Sequence, residues 1–184
     1  MNAPLKRRRM KVPEFLAWAE AQPKGRYELV DGEVVAMSPE PARHVRSKVA
    51  VARILQDAIR SAKLPCEAFG DGMTVVIDEH TSREPDALVQ CGKPLDPDSL
   101  VSDTPVIVVE VLSPSNERSD TGEKLAEYFK VASVRHYLIV NPSRRLVIHH
   151  ARSRSGKIDT RIVDRGDVDL SPPGLSIPVE SLFG

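Results

Sequence analysis

Apolar and polar positions alternate along this chain in two rhythms, one of period two and one near 3.6, and together they lay out its elements. Residues 13–21 read as a short amphipathic helix, with Pro13 suited to its first turn and Phe15, Leu16, Trp18 and Ala19 on the apolar side. The period then shortens. Tyr27–Val30 and Val34–Met37 read as two strands joined at Asp31-Gly32, a strong short-range hairpin signal. After the break at Ser38-Pro39-Glu40-Pro41, His44–Ala62 reads as a long helix whose apolar stripe is Val45, Val49, Ala52, Leu55, Ala58 and Ile59. Cys66–Phe69, Met73–Ile77 and Ala87–Gln90 follow as short strands, and Leu95–Ser102 as a polar connection.

The run Pro105–Leu112 is almost continuously apolar, which suggests a central strand buried on both faces. Asp120 and Glu123 could form a capping box at the head of a helix reaching about Ala132, with Leu125, Tyr128, Phe129 and Ala132 on its buried side. His136–Val140 is a further strand, and Leu146–His150 with Ile158–Val163 a late hairpin. The proline-rich end, Leu170–Phe183, reads as loop and short turns. Strands, helix and strands again make the chain α/β or α+β. Residues 1–12 are expected as a loose basic tail and residues 13–184 as one domain.

Composition narrows the classes. The chain has 184 residues, 41% hydrophobic and 28% charged, enough apolar matter for one core. No apolar run approaches the roughly 18 residues of a membrane span, and the basic start has no apolar stretch behind it to form a secretory signal. Aromatic residues at 4% argue against a protein that stacks single-stranded bases. The two cysteines, Cys66 and Cys91, make neither a CxxC motif nor a disulfide framework, which suits a reducing, cytoplasmic setting and argues against a cysteine zinc site. The zero net charge hides a partition: residues 1–63 carry +6, residues 64–128 carry −10 and residues 129–184 carry +4. An acidic middle between basic flanks fits a carboxylate site for a cation beside surfaces that meet an anion; solvated acidic loops such as Asp96-Pro97-Asp98 are the plainer source of the same excess.

Three residues stand out against this background. Glu110 lies inside an apolar strand and shares a face with Val108 and Leu112. A lone buried carboxylate is costly unless it is paired or holds a metal, so Glu110 is either a functional acid or half of a structural salt bridge. Asp86 leads into Ala87-Leu88-Val89, with Pro85 fixing the backbone before it. Lys124 lies in the first turns of the helix after the Glu110 strand, where it can face that strand's C-terminal end or simply pair with Asp120, four residues away.

These residues carry a resemblance. Pro85-Asp86 followed by Glu110-Val111-Leu112 is similar to the signature of the PD-(D/E)XK nuclease superfamily with its usual lysine replaced by Leu112. Within that superfamily the chain resembles the Uma-two family of restriction-endonuclease-like proteins. The matching stretches are Tyr27–Pro39, His44, Pro85-Asp86, Glu110–Ser115, Asp120, Lys124, Tyr128, Tyr137–Pro142 and the closing Leu175–Phe183. The chain departs from the family at Ala132-Ser133-Val134 and at Tyr137-Leu138, which are packing positions.

The resemblance implies a restriction-endonuclease-like core, a central mixed sheet flanked by helices, here with an extra N-terminal hairpin. It implies a divalent metal, magnesium with manganese able to substitute, held by Asp86 and Glu110 with the Val111 carbonyl as third ligand. Lys124 takes the part of the lysine absent at 112. It further implies DNA as substrate, hydrolysis of its phosphodiester bonds, and a homodimer. Magnesium takes hard oxygen ligands and keeps several waters, so two carboxylates suffice when phosphate supplies the rest. Glu33, after the hairpin turn, is a further candidate ligand or a solvated acid. His44, at a helix start, is a phosphate contact or an ordinary helix-start residue. His149-His150 reads as surface, and Arg152, Arg154 and Lys157 as a basic loop able to touch DNA backbone. The alternative from another class is a nucleic-acid-binding or interaction module that keeps the fold without catalysis; an unrelated nucleotide-dependent enzyme is disfavoured by the lack of a glycine-rich phosphate loop.

Overall fold

The structure, a computed structural model, describes residues 9–112 and 121–183. Helix α1 (Val12–Glu20) leads to the hairpin β1 (Tyr27–Val30) and β2 (Glu33–Ala36), then to the long helix α2 (Ala42–Ala62). Strands β3 (Cys66–Gly70), β4 (Val75–Asp78), β5 (Thr81–Arg83), β6 (Ala87–Cys91) and β7 (Pro105–Val111) precede α3 (Thr121–Tyr128). Strands β8 (His136–Asn141), β9 (Leu146–Arg152), β10 (Ile158–Val163), β11 (Asp167–Leu170) and β12 (Leu175–Pro178) end in a 3-10 turn at Val179–Phe183.

The main sheet has six strands in the order β10-β9-β8-β7-β6-β3, with β7 and β8 parallel and every other neighbour antiparallel. A smaller sheet has the order β2-β1-β5-β4, and β11 pairs with β12. The strand of continuous apolar character, β7, lies inside the main sheet and feeds two cores, as a strand buried on both faces must. Ile107, Val109 and Val111 face α2, β12 and the closing 3-10 turn, among Val51, Leu55, Leu182 and Ile177. Val108 faces the other way with Leu88, Tyr137, Ile139, Tyr128 and Val75, under α3 and the small sheet. The result is the mixed sheet flanked by helices that the resemblance implies.

The first hairpin follows from its turn. Asp31 and Gly32 both take positive φ, 52° and 81°, which suits the twist of a two-residue hairpin. At Gly32 a Cβ would also come within 2.5 Å of Arg9, because Met10 donates its N–H to the Gly32 carbonyl and Arg9 pairs with Asp31. Residues 9–12, expected within a loose tail, are therefore pinned to this turn; residues 1–8 of that tail lie outside the described residues.

Several expectations are corrected. Helix α2 is rotated from the expected phase: Val45 and Val49 are exposed, and the buried stripe runs His44, Lys48, Val51, Leu55, Ile59. The C-terminal stretch is not loop but β11, β12 and a 3-10 turn, and its Leu170, Leu175, Ile177 and Leu182 sit in the main core. His149 and His150 are buried, not surface: β9 lies inside the sheet, covered by β10 on one side and β8 on the other. Arg152 turns inward to the carbonyls of Val134 and Phe129. Cys66 and Cys91 form a disulfide, since antiparallel pairing of β3 with β6 sets them directly opposite although 25 residues separate them. The free-thiol argument for a reducing compartment falls with it. Helix α3 stops at Tyr128 rather than near Ala132. The capping box at Asp120 and the motif residues 113–115 lie outside the described residues. Among the described residues, no helix is long and apolar enough to cross a membrane.

Candidate active site

The parallel pair β7–β8 ends against α3, and Glu110 is the last residue of β7 but one. Strand alternation turns it to the α3 side with Val108, next to a helix whose first turns carry Lys124 and whose last residue is Tyr128. Lys124 Nζ donates to Glu110 Oε1 at 2.9 Å and the Tyr128 hydroxyl donates to the same oxygen at 2.7 Å. Burial pushes the Glu110 carboxyl above the usual range and the negative charge of Asp86 adds to this, against the pull of Lys124 and Tyr128. For Lys124, burial alone would lower the ammonium, but Glu110 and Glu28 outweigh it and hold it above its ordinary value.

Asp86 enters from the start of β6. Its Oδ2 accepts the Val111 N–H at 2.6 Å, which ties the two candidate ligand segments to each other. Its Oδ1 lies 2.7 Å from Lys48 Nζ. Lys48 comes from the buried stripe of α2 and reaches Glu40 Oε1 at 2.6 Å and Asp71 Oδ2 at 3.3 Å as well. Burial again raises the Asp86 carboxyl, and Lys48 and the Val111 N–H only partly offset it. His44, one turn before Lys48, sits 3.6 Å from Glu40 with its Nε2, and burial lowers its pKa. The ligand atoms of Glu40, His44 and Asp86 lie within 4.8 Å of one another.

Behind these stands a buried ion network. Arg83 on β5 grips Glu127 of α3 at 2.7 and 3.1 Å and Glu28 of β1 at 3.1 Å, while Glu28 also accepts the Glu84 N–H at 3.0 Å. These bonds join the small sheet to α3, so the helix that carries Lys124 is fixed from two sides.

The groups open on one cavity of about 230 Å³. Among the described residues, Glu28, Glu40, Glu84, Asp86 and Glu110 supply its carboxylates and Lys124 its ammonium, and His44, Ser38 and Val111 add polar groups. A concave wall so rich in carboxylate favours a cation by charge, and its oxygen donors are hard. Asp86, Glu110 and the Val111 carbonyl are available to hold such an ion, with Glu40 and His44 nearby.

A family model described as "Putative restriction endonuclease", Uma2, matches residues 12–180. The chain belongs to the Uma2 family. A curated relative, an uncharacterised protein of Synechocystis sp., is 27% identical over 173 residues, covering 92% of this chain and 89% of its own. Among solved structures, the chain is similar to one titled a "putative nuclease belonging to DUF820" from Anabaena variabilis, with a TM-score of 0.74 at 16% identity, covering 95% of this chain and 97% of that one. That likeness supports the fold.

Of the residues singled out from the sequence of this Uma2 protein, Asp86, Glu110, Val111, Lys124 and His44 line the cavity. Glu33 does not: it is exposed at the start of β2 and pairs across the hairpin with Val30. The acid that β1–β2 does bring to the cavity is Glu28, which alternation along β1 sets on the face opposite Leu29, where Arg83 holds it. Sequence reasoning missed Lys48, Glu40 and Arg83. Lys48 had a signal: 44, 48, 51, 55 and 59 keep helical spacing as well as the all-apolar stripe does, and a polar start to a buried stripe points at a site.

Proposed function

We propose that this Uma2 chain is a divalent-metal-dependent endonuclease that hydrolyses phosphodiester bonds in DNA. One observation carries the reading: a buried carboxylate just before β6, Asp86, and a largely buried one on β7, Glu110, share a cavity with an ammonium, Lys124, that is already bonded to Glu110. When bound at Asp86, Glu110 and the Val111 carbonyl, magnesium supplies Lewis-acid polarisation of a phosphoryl oxygen and a more acidic water.

The chain's own residues do the rest. The Val111 N–H and Lys48 fix both oxygens of Asp86, which holds the carboxylate in one orientation. Tyr128 and Lys124 fix Glu110 through one oxygen, Oε1. Lys124 keeps further ammonium hydrogens for charge that develops on phosphate oxygens, in the place the family's motif lysine would serve. β1, β2 and the Ser38–Pro41 segment line one side of the cavity, where a substrate would displace water and strengthen each of these interactions.

The same reading takes residues 13–184 as one nuclease-like domain and places it in the cytoplasm, beside its DNA. The homodimer follows from the family resemblance. The test is nicking of supercoiled plasmid by the full chain with magnesium, manganese or chelator, beside Asp86→Ala. Metal-dependent nicking that is lost in a folded Asp86→Ala protein supports the reading. A folded wild type that binds plasmid and cuts under no metal favours a nucleic-acid-binding module.

A further inference from the structure

In the reading above Lys48 only holds Asp86, yet its surroundings are unusual for a structural lysine. It projects from α2 into the junction of three segments: the Glu40 loop before α2, the Asp71 turn after β3, and Asp86 before β6. An ammonium has three hydrogens to donate, and here each has a carboxylate: Glu40 at 2.6 Å, Asp86 at 2.7 Å and Asp71 at 3.3 Å. Its side chain is 3% exposed. Two of its partners, Glu40 and Asp86, are also two of the three residues, with His44, whose ligand atoms lie within 4.8 Å of one another. That group is a divalent-ion site by donor type and spacing, and the Lys48 ammonium is already bonded to its carboxylates.

We propose that Lys48 is a built-in cation that fills the Glu40–His44–Asp86 position and excludes a second divalent ion from it. The inference rests on the nuclease reading for the first ion, at Asp86 and Glu110. A dication entering beside Glu40 would meet a positive charge bonded to the same oxygens, and three carboxylates hold that charge in place. Lys48 is thus a positioning residue: it orients Asp86 toward the Glu110 side and sets how many ions the cavity accepts.

The test is ion counting on the full chain, by manganese titration followed with electron paramagnetic resonance and calorimetry, for wild type, Lys48→Ala and Lys48→Arg. The expected counts are one, two and one. Two ions on the wild type, or one on the wild type and still only one on a folded Lys48→Ala protein, overturn the Lys48 proposal and leave the nuclease reading standing. No ion on the wild type with one on Lys48→Ala supports the Lys48 proposal and removes the ion from the nuclease reading; no ion on either overturns both. Should Lys48→Ala fail to fold alone, circular dichroism should show it recovering on manganese but not on sodium at equal ionic strength. Failure to recover overturns the proposal.

Discussion

Among the described residues, two polar cavities at opposite ends and opposite faces of the β7–β8 pair are built differently. The one at Glu110 is about 230 Å³; the other, beside His136, is about 750 Å³. Glu110 pairs with Ile139 while His136 pairs with Ile107, so the two groups are roughly 10 Å apart along the strands and alternation points them to different faces. In the small cavity charged groups are buried or half-buried, Asp86 and Glu110 are each held by two named donors, and burial pushes both of these acids up. The large cavity is rimmed by Arg135, Arg154 and Arg161, with Asp159 and Asp169. Its two buried groups, His136 and His149, are directed at each other: His136 Nε2 donates to the Pro172 carbonyl, so its Nδ1 accepts from His149 Nε2 at 2.9 Å. Both are held neutral by burial, His149 with a pKa lowered to about 4. On the proposed reading, size does not mark the site. Desolvated charge, maintained by several elements at once, does.

Four changes test this contrast. The largest effect is expected from Glu110→Gln, which keeps the shape and removes the charge: plasmid cleavage should fall by about 10³-fold, with thermal unfolding little changed. A residual rate within tenfold of wild type would break the contrast at its strongest point. Lys124→Ala should lower the cleavage rate by about 10²-fold and alter manganese affinity far less, read by single-turnover rates beside calorimetry. Equal losses in both would make Lys124 a scaffold for the ion rather than a partner of phosphate.

The third change is pH. The folded His149 pKa lies below its unfolded value, so the unfolded chain binds more protons between about pH 6.5 and 4, and stability is lost as pH falls through that window. From pH 7 to pH 5 the loss from this group should be about 1–2 kcal/mol in urea titrations, and His149→Gln should flatten the slope. An unchanged slope would mean that the histidine pair does not stay neutral. The smallest effect is expected at the rim of the large cavity: Arg154→Ala should shift stability by less than about 0.5 kcal/mol and cleavage by less than about twofold. A tenfold loss of cleavage would make that rim part of the DNA path.

What the sequence made legible was local or costly. Asp31-Gly32 marks its hairpin because the turn needs two residues that tolerate positive φ. Glu110 stands out because an acid in an apolar strand demands a partner, and Asp86 gains meaning from it. What stayed hidden depended on contacts between distant segments. The phase of α2 is set by which stripe meets β6 and the 3-10 turn, so Val49 went outside and Lys48 inside. The Arg83–Glu28–Glu127 network joins three elements with no common spacing. The tail's prolines sit in the Ser171–Pro173 turn and at the end of β12, so they do not interrupt pairing of β11 with β12. The Cys66–Cys91 bond depends on the register of β3 against β6, which no spacing within the chain discloses.

The central claim is that Asp86 and Glu110, rather than any group in the larger cavity, hold the ion. Its most direct test is anomalous diffraction from crystals of the full chain soaked in manganese. The account expects one peak in the small cavity, at roughly 2.0–2.3 Å from oxygens of Asp86, Glu110 and the Val111 carbonyl. A peak at the His136–His149 pair, or none in the small cavity at saturating manganese, would contradict it.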